Sequence, residues 1–293
     1  MRTSIFGLMA APIALLAAAP AYAQDAEEST SSVSVSANVA LTSDYRFRGV
    51  SLSDGNIAVQ GGIDVAHDSG FYIGTWGSSL ASVDDTAPFD DGTGTVISSP
   101  IGNYGAMELD IYAGWSGEVA SGVTFDVGLL YYIYPDALNT TTLSVATAGT
   151  PPVVSPTGLE FATGTADFDT DYFEPYASVG FTLGPVETTV GAAYAWKQDS
   201  LGGDDNLYLY TDVSAGIPNT PITLNAHLGY TDGVLAPPAL AGSLDDTGFD
   251  YGVSADYAIT GNLTASVGYV GVDGPSIDSF TDDTVVFTLS ASF

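Results

Sequence analysis

Several groups of residues in this sequence have types and spacings that could do chemistry. Asp167-Phe168-Asp169-Thr170-Asp171 places oxygen donors at alternate positions, as a calcium loop begins. Tyr172 stands where the turn glycine belongs and Ser178 where a bidentate Glu belongs, so the pattern argues against an EF-hand. Acidic doublets at Asp84-Asp85, Asp90-Asp91, Asp204-Asp205, Asp245-Asp246 and Asp282-Asp283 offer oxygen ligands for loop-bound Ca2+, although such doublets are more often solvated turns. His67 and His227 are the histidines available for acid–base work. With no cysteine, thiolate metal sites, disulfides and cysteine nucleophiles are all excluded. There is no phosphate loop, glycine-rich dinucleotide turn or zinc helix, and no cofactor is expected.

The elements that must position these groups announce themselves at the amino end. Arg2 precedes an apolar run from Ile5 to Ala19, Pro20 ends it, and Ala21-Tyr22-Ala23 supplies the small-x-small pattern of a signal peptidase site. The run is too short and too interrupted, at Pro12, for a spanning helix. Residues 1–23 therefore read as a signal peptide cleaved after Ala23, and residues 24–32 as a polar periplasmic lead-in. The chain carries 4 Lys+Arg against 35 Asp+Glu, which rules out nucleic acid as a partner. Only 13% of residues are charged while 45% are hydrophobic, so a large apolar surface must be covered by something.

From Val33 the apolar residues recur with period two. Val33, Val35, Ala37, Val39 and Leu41 alternate with Ser34, Ser36, Asn38 and Ala40, and similar alternation runs through Val123–Ile133 and Ile222–Tyr230. Twelve strands are predicted, over 33–48, 56–66, 70–79, 106–117, 122–134, 172–183, 186–197, 206–217, 221–231, 248–259, 262–271 and 283–293. Connections alternate between tight turns and longer loops, the pattern of an outer-membrane barrel with short periplasmic turns. The expected fold is all-β, an up-and-down antiparallel transmembrane β-barrel over residues 33–293, with both termini in the periplasm. Aromatics near strand ends (Tyr45, Phe47, Tyr131, Tyr194, Trp196, Tyr230, Tyr257 and Tyr269) are expected to form girdles at the membrane interfaces.

If the apolar face meets lipid, parity assigns Asp64, Glu108, Asp110, Asp126, Glu174, Glu187, Asp212, Asp250 and Asp256 to the lumen. Arg46, Arg48, Lys197 and His227 share that parity. Such cations either set a transverse field across an acidic pore or pair with its wall to hold the barrel rigid. A barrel phospholipase needs a lipid-facing Ser–His pair, but His227 has lumenal parity and His67 falls in a periplasmic turn. A rim protease could use His227 with Asp250 or Glu174; no enzyme activity is expected.

Thr42-Ser43-Asp44-Tyr45-Arg46-Phe47-Arg48-Gly49-Val50-Ser51, followed by Gln60-Gly61-Gly62-Ile63-Asp64, resembles the opening of the TorF-type porins, a Gcw_chp-like family of Gram-negative outer-membrane β-barrels. Gly70–Trp76, Glu108–Gly114 and Tyr131–Pro135 continue the likeness, later strands match more loosely, and the insert from Pro135 to Asp171 departs from it. The final strand, apolar at odd positions and ending on Phe293, resembles the barrel signature whose terminal aromatic is read by the insertion machinery, which implies that role for Phe293. The resemblance implies an outer-membrane porin, and the acidic lumen that parity assigns would favour cations or small neutral solutes. A plugged barrel with a structural or surface-binding role, or a carrier of small hydrophobic ligands, is the alternative. Outer-membrane lipid and lipopolysaccharide are the expected partners; the oligomeric state is not legible. N-terminal sequencing of the protein recovered from a membrane fraction is expected to begin at Gln24; a chain still starting at Met1 would show that the leader is retained.

Overall fold

The computed structural model describes residues 32–81, 89–90, 96–97, 104–135, 137, 140–145, 154–155, 158–159, 162–167 and 170–293. The leader, its cleavage site at Ala23 and nearly all of the lead-in lie outside them. So do most of the long insert, Asp169 of the calcium-like run, and Asp84, Asp85 and Asp91 of the doublets.

Twelve strands close into one antiparallel barrel: β1 (Val33–Thr42), β2 (Ala58–His67), β3 (Phe71–Ser79), β4 (Met107–Ala120), β5 (Val123–Ile133), β6 (Tyr172–Leu183), β7 (Val186–Ala195), β8 (Asn206–Gly216), β9 (Ile222–Gly233), β10 (Thr247–Ala258), β11 (Leu263–Val272) and β12 (Thr284–Ser292). Each pairs with its sequence neighbours, and β1 also pairs with β12 from Asn38↔Ser292 to Thr42↔Thr288. At the end of this seam Ala37 and Phe293 exchange both backbone hydrogen bonds, at 3.1 and 2.8 Å, so no sheet edge is left open. The Phe293 ring points outward, 71% exposed.

The turns at one rim are tight, and Gly70, Gly122 and Gly184 there all take positive φ. The connections at the other rim span 43–57, 80–106, 134–171, 196–205, 234–246 and 273–283. Val33 pairs with His67, which places the start of β1 at the short-turn rim.

Strand parity sorts the residues cleanly. Val35, Val59, Ile73, Leu129, Val213, Leu228, Val253 and Phe287 point outward and are exposed, an apolar belt around the barrel. Tyr194, Trp196, Tyr257 and Tyr269 share that outer face. Inside, tyrosines lie flat across glycines of the neighbouring strand. A Cβ on Gly114 would come 2.4 Å from the Tyr72 hydroxyl, one on Gly128 2.4 Å from that of Tyr176, and one on Gly191 2.2 Å from the Tyr210 ring. The ring fills the room the missing side chain leaves, so the narrow interior is packed.

One strand departs from the sequence reading. β1 ends at Thr42, and residues 43–57 turn into the barrel instead of extending its wall to Arg48. Arg46–Phe47 pairs with Val50–Ser51 in a small hairpin whose tip residues, Arg48 (φ 49) and Gly49 (φ 80), both have positive φ, the backbone of a type I′ turn. Asp54 (φ 53) and Gly55 (φ 65) make a second such turn, closed by Asn56 N to Ser53 O at 2.9 Å. Tyr45 and Phe47 are consequently buried in the lumen, and the expectation that they belong to an interface girdle is corrected.

Gly128→Val should destabilise the barrel by about 3 kcal/mol or block its closure, because the new side chain collides with Tyr176 and with the Ala113 carbonyl. Gly216→Ala, where nothing lies within 4 Å, should stay within about 0.5 kcal/mol of the parent. Urea midpoints in detergent, read by the heat-dependent gel shift of the folded barrel, check both.

Candidate functional site: the lumen and its inward hairpin

The hairpin is organised around Asp44. Its carboxylate accepts hydrogen bonds from Ser51 Oγ (2.5 Å) and Ser53 Oγ (2.8 Å) on one oxygen and from Arg46 Nε (2.5 Å) on the other. Arg46 then ties the hairpin to the 273–283 loop, donating to Asp282 O (2.9 Å) and Asp282 Oδ1 (3.2 Å), while Ser51 N bonds Phe280 O at 2.8 Å. Leu52 O accepts from Ala81 N at 3.0 Å, a tie to the 80–106 loop.

Arg48, at the tip, crosses the lumen. Its Nη2 donates to both oxygens of Glu174 on β6 at 2.7 Å, and its guanidinium sits 4.2 Å from the Tyr208 ring centre on β8. Gly49 packs so tightly against β10 and β11 that a Cβ would fall 2.3 Å from Val272 Cγ1 and 3.0 Å from Asp250 Cβ. A non-glycine residue in the left-handed region costs on the order of 1 kcal/mol. The ion pair holds the tip in place, since removing one partner would leave the other charge buried and uncompensated, typically at a cost of about 3–5 kcal/mol.

The hairpin leans on one side of the barrel. Tyr45 donates to Glu108 Oε1 at 3.0 Å and stacks edge-on against Trp76, and Phe47 packs against Tyr132. On its other side a small cavity of about 40 Å³ remains, walled by Thr42, Gln60, Ser254, Ser266, Gly268 and Thr288 together with Val270 and Val286, and bordered by Asp44, Arg46, Arg48, His227 and Asp250. The lumen is thus asymmetric, with tyrosines and acids filling the β3–β8 side and small hydroxyl-bearing residues lining the β10–β2 side. Towards the long-loop rim, Phe47, Leu52, Tyr134, Tyr172 and Leu235 enclose apolar space over the hairpin.

Among the described residues, seven carboxylates are buried inside the barrel: Asp44, Glu108, Asp110, Asp126, Glu174, Asp250 and Asp256. Phenols answer most of them. Tyr72 donates to Asp126 (2.7 Å), Tyr132 to Glu174 (3.0 Å) and Tyr208 to Asp250 (3.1 Å), in addition to Tyr45 on Glu108. Asp64, partly buried, accepts from Tyr112 at 2.5 Å. Asp256 is held by Asn225 (2.8 Å) and Ser266 (2.6 Å). His227 bridges Asp212 (2.6 Å) and Asp250 (2.8 Å) through its two ring nitrogens.

The residues assigned to the lumen by parity do not all meet. Glu187 lies on the inward parity of β7 but is exposed near the short-turn rim. Arg46 and Arg48 are inside the barrel, carried by the hairpin and not by a strand. Lys197 is a correction: β7 ends at Ala195, the chain turns out into the 196–205 loop, and the Lys197 ammonium, 65% exposed, pairs with Asp204 at 3.2 Å. That hydrogen bond holds its pKa above the ordinary lysine value. Glu174 is engaged by Arg48 and Tyr132, so the His227 cluster contains Asp212 and Asp250 without it. The inward hairpin itself was missed, and the signals for it were the Arg48-Gly49 and Asp54-Gly55 dipeptides.

Phenol–carboxylate pairs recur on the outer surface at the long-loop rim. Tyr194 donates to Asp205 (2.8 Å), and Tyr251 and Tyr269 both donate to Asp283 (3.1 and 2.6 Å).

Among solved structures, a KdgM porin in complex with disordered oligogalacturonate is similar at 7% identity and a TM-score of 0.48, covering 88% of this chain and 97% of its own. The Pseudomonas putida toluene transporter TodX aligns at 10% identity and 0.43, over 90% and 89%. The translocator domain of the autotransporter NalP from Neisseria meningitidis aligns at 11% and 0.43, over 91% and 90%. No curated protein sequence matches the chain. Residues 26–161 and 161–293 match a family described as "Bacterial protein of unknown function (Gcw_chp)", the two segments meeting inside the 134–171 connection, and the chain belongs to that family.

Proposed function

We propose that the protein is an outer-membrane porin in which small solutes, cations in preference, pass along the small-residue side of the lumen. The apolar belt is the face for lipid, with the long loops and their Tyr–Asp pairs at the outer surface and the short turns in the periplasm. The observation that carries the reading is the cavity beside the hairpin. A barrel built only as a plug would pack that side as tightly as the tyrosine side, yet Thr42, Ser254, Ser266, Gly268 and Thr288 leave a small cavity there. The excess of buried acids over Arg46, Arg48 and His227 favours cations over anions along this path. Catalysis forms no part of the proposal: both ring nitrogens of His227 are engaged by aspartates, and the Tyr208 hydroxyl beside Nε2 is itself tied to Asp250.

A second reading has its own support. The hairpin is fastened at its base by Arg46 and at its tip by Arg48, as expected of a permanent plug in a structural or surface-binding barrel.

Planar-bilayer recording of the refolded protein separates the two. The porin reading expects stable conductance steps with a cation-leaning reversal potential in a salt gradient. Asp126→Asn and Asp256→Asn should weaken that bias, most visibly at about 0.1 M salt, where the screening length is about 10 Å. Replacing residues 45–52 by a short Gly-Ser linker should raise the conductance several-fold. Silent wild-type barrels together with a conducting shortened variant would establish the plug and sink the porin reading.

The tip latch makes a separate prediction. Arg48→Ala leaves Glu174 buried and uncompensated, at a cost of about 3 kcal/mol or more, and should lower the urea midpoint and free the hairpin. Arg48→Gln with Glu174→Gln should recover most of that loss. Equal midpoints for the single and double variants would show that the ion pair does not hold the tip.

A further inference from the structure

Of the seven buried acids in the lumen, six receive a hydrogen bond from a side chain. Asp110 is the exception: it is 0% exposed and neither of its carboxylate oxygens has a partner. Glu108, two residues earlier on the same strand and therefore on the same face, is 1% exposed and has one free oxygen, Oε2, its other oxygen accepting from Tyr45. Glu108 and Glu174 are the charges that act most strongly on Asp110. Glu174 is already compensated by Arg48, and the Tyr134 phenol as well as that of Tyr45 bears on Glu108, so the pair Glu108 and Asp110 is left with two formal negative charges and two wholly unpartnered Asp110 oxygens in a space closed by Tyr45, Trp76 and Tyr132. Isolated buried carboxylates of this kind cost several kcal/mol each unless something neutralises them.

We infer that Glu108 and Asp110 form a binding site for a single hard divalent cation, of the Ca2+ or Mg2+ class, beneath the inward hairpin. The charge matches, the free donors are all oxygen, and the Tyr45 phenol supplies a further neutral oxygen beside them. No third Asp, Glu or His joins them in a ready-made cluster among the described residues, so the remaining coordination positions belong to water. The cation cross-links β4 to the hairpin through Glu108 and Tyr45, and the site does not depend on whether the lumen conducts. Two arrangements compete with it: a proton shared by the two acids, and a water bridge from Asp110 to Arg48, whose Nη1 is also buried without a partner.

Terbium luminescence of the refolded full-length mature protein distinguishes them. Tyr45 and Trp76, with ring centres 5.5 Å apart, sit over the site and would sensitise a bound lanthanide. The expected result is tyrosine- and tryptophan-sensitised emission that Ca2+ displaces, that falls at least about tenfold in Asp110→Asn, and that survives the loop variant Asp245→Asn with Asp246→Asn. Glu108→Gln should reduce it likewise, which keeps the test decisive if one variant fails to fold. Absence of emission from the folded wild-type barrel, or emission unchanged by both lumenal variants, overturns the proposal. Conductance is measured separately, so a silent pore with sensitised emission would refute the porin reading and leave the cation site standing.

Discussion

A shortage of donors governs this molecule. With 35 Asp and Glu against 4 Lys and Arg, ion pairing cannot satisfy the acids that a narrow barrel must hold in its interior. The chain meets the demand with phenols, and its 17 tyrosines are the donor reserve. A hydrogen bond to a charged acceptor contributes about 1.5–3 kcal/mol, roughly twice a neutral one, so each lumenal Tyr–carboxylate pair both satisfies a buried acid and fixes a ring. Three of those pairs, Tyr72–Asp126, Tyr112–Asp64 and Tyr208–Asp250, join strands that are not neighbours. Tyr72 on β3 reaches Asp126 on β5, and Tyr112 on β4 reaches Asp64 on β2. They brace the barrel across its curvature as well as along its ladder.

The same constraint explains the lumenal glycines and the placement of the scarce cations. A tyrosine lying across the wall to reach an acid needs the adjacent residue to have no side chain, and Gly74, Gly114 and Gly229 provide the room for Tyr112, Tyr72 and Tyr208. The few lumenal guanidinium groups fasten the inward hairpin. Arg46 gathers two carboxylates and three carbonyls at the hairpin base, and Arg48 compensates Glu174 at the tip. The hairpin therefore divides the lumen, holding tyrosines and acids on one side and leaving small polar residues and empty space on the other.

Much of this was legible in the chain. All twelve strands fall close to where the alternation places them, because a strand with one face toward lipid and one toward the lumen must alternate, and a slip of one residue would reverse every side chain. The sorting of connections into tight turns and long loops was equally readable. The stretch from Ser43 to Gly55 was not, because Tyr45 and Phe47 continue the odd-position pattern of β1, which suits a wall strand as well as an inward hairpin. Lys197 was misplaced for a related reason: parity was carried past Ala195, where the strand ends and parity loses its meaning.

The sequence by itself determined the all-β period, the strand count and which face of each strand is polar, since these are set by residues close together along the chain. Only the tertiary structure decided which acid meets which phenol, that Arg48 spans the lumen to Glu174, that one side stays open, and that Asp110 is left without a donor. Partners 126 positions apart, like Arg48 and Glu174, come together only when the sheet closes. Closure depends on the curvature and registry of all twelve strands together, and no local pattern records it.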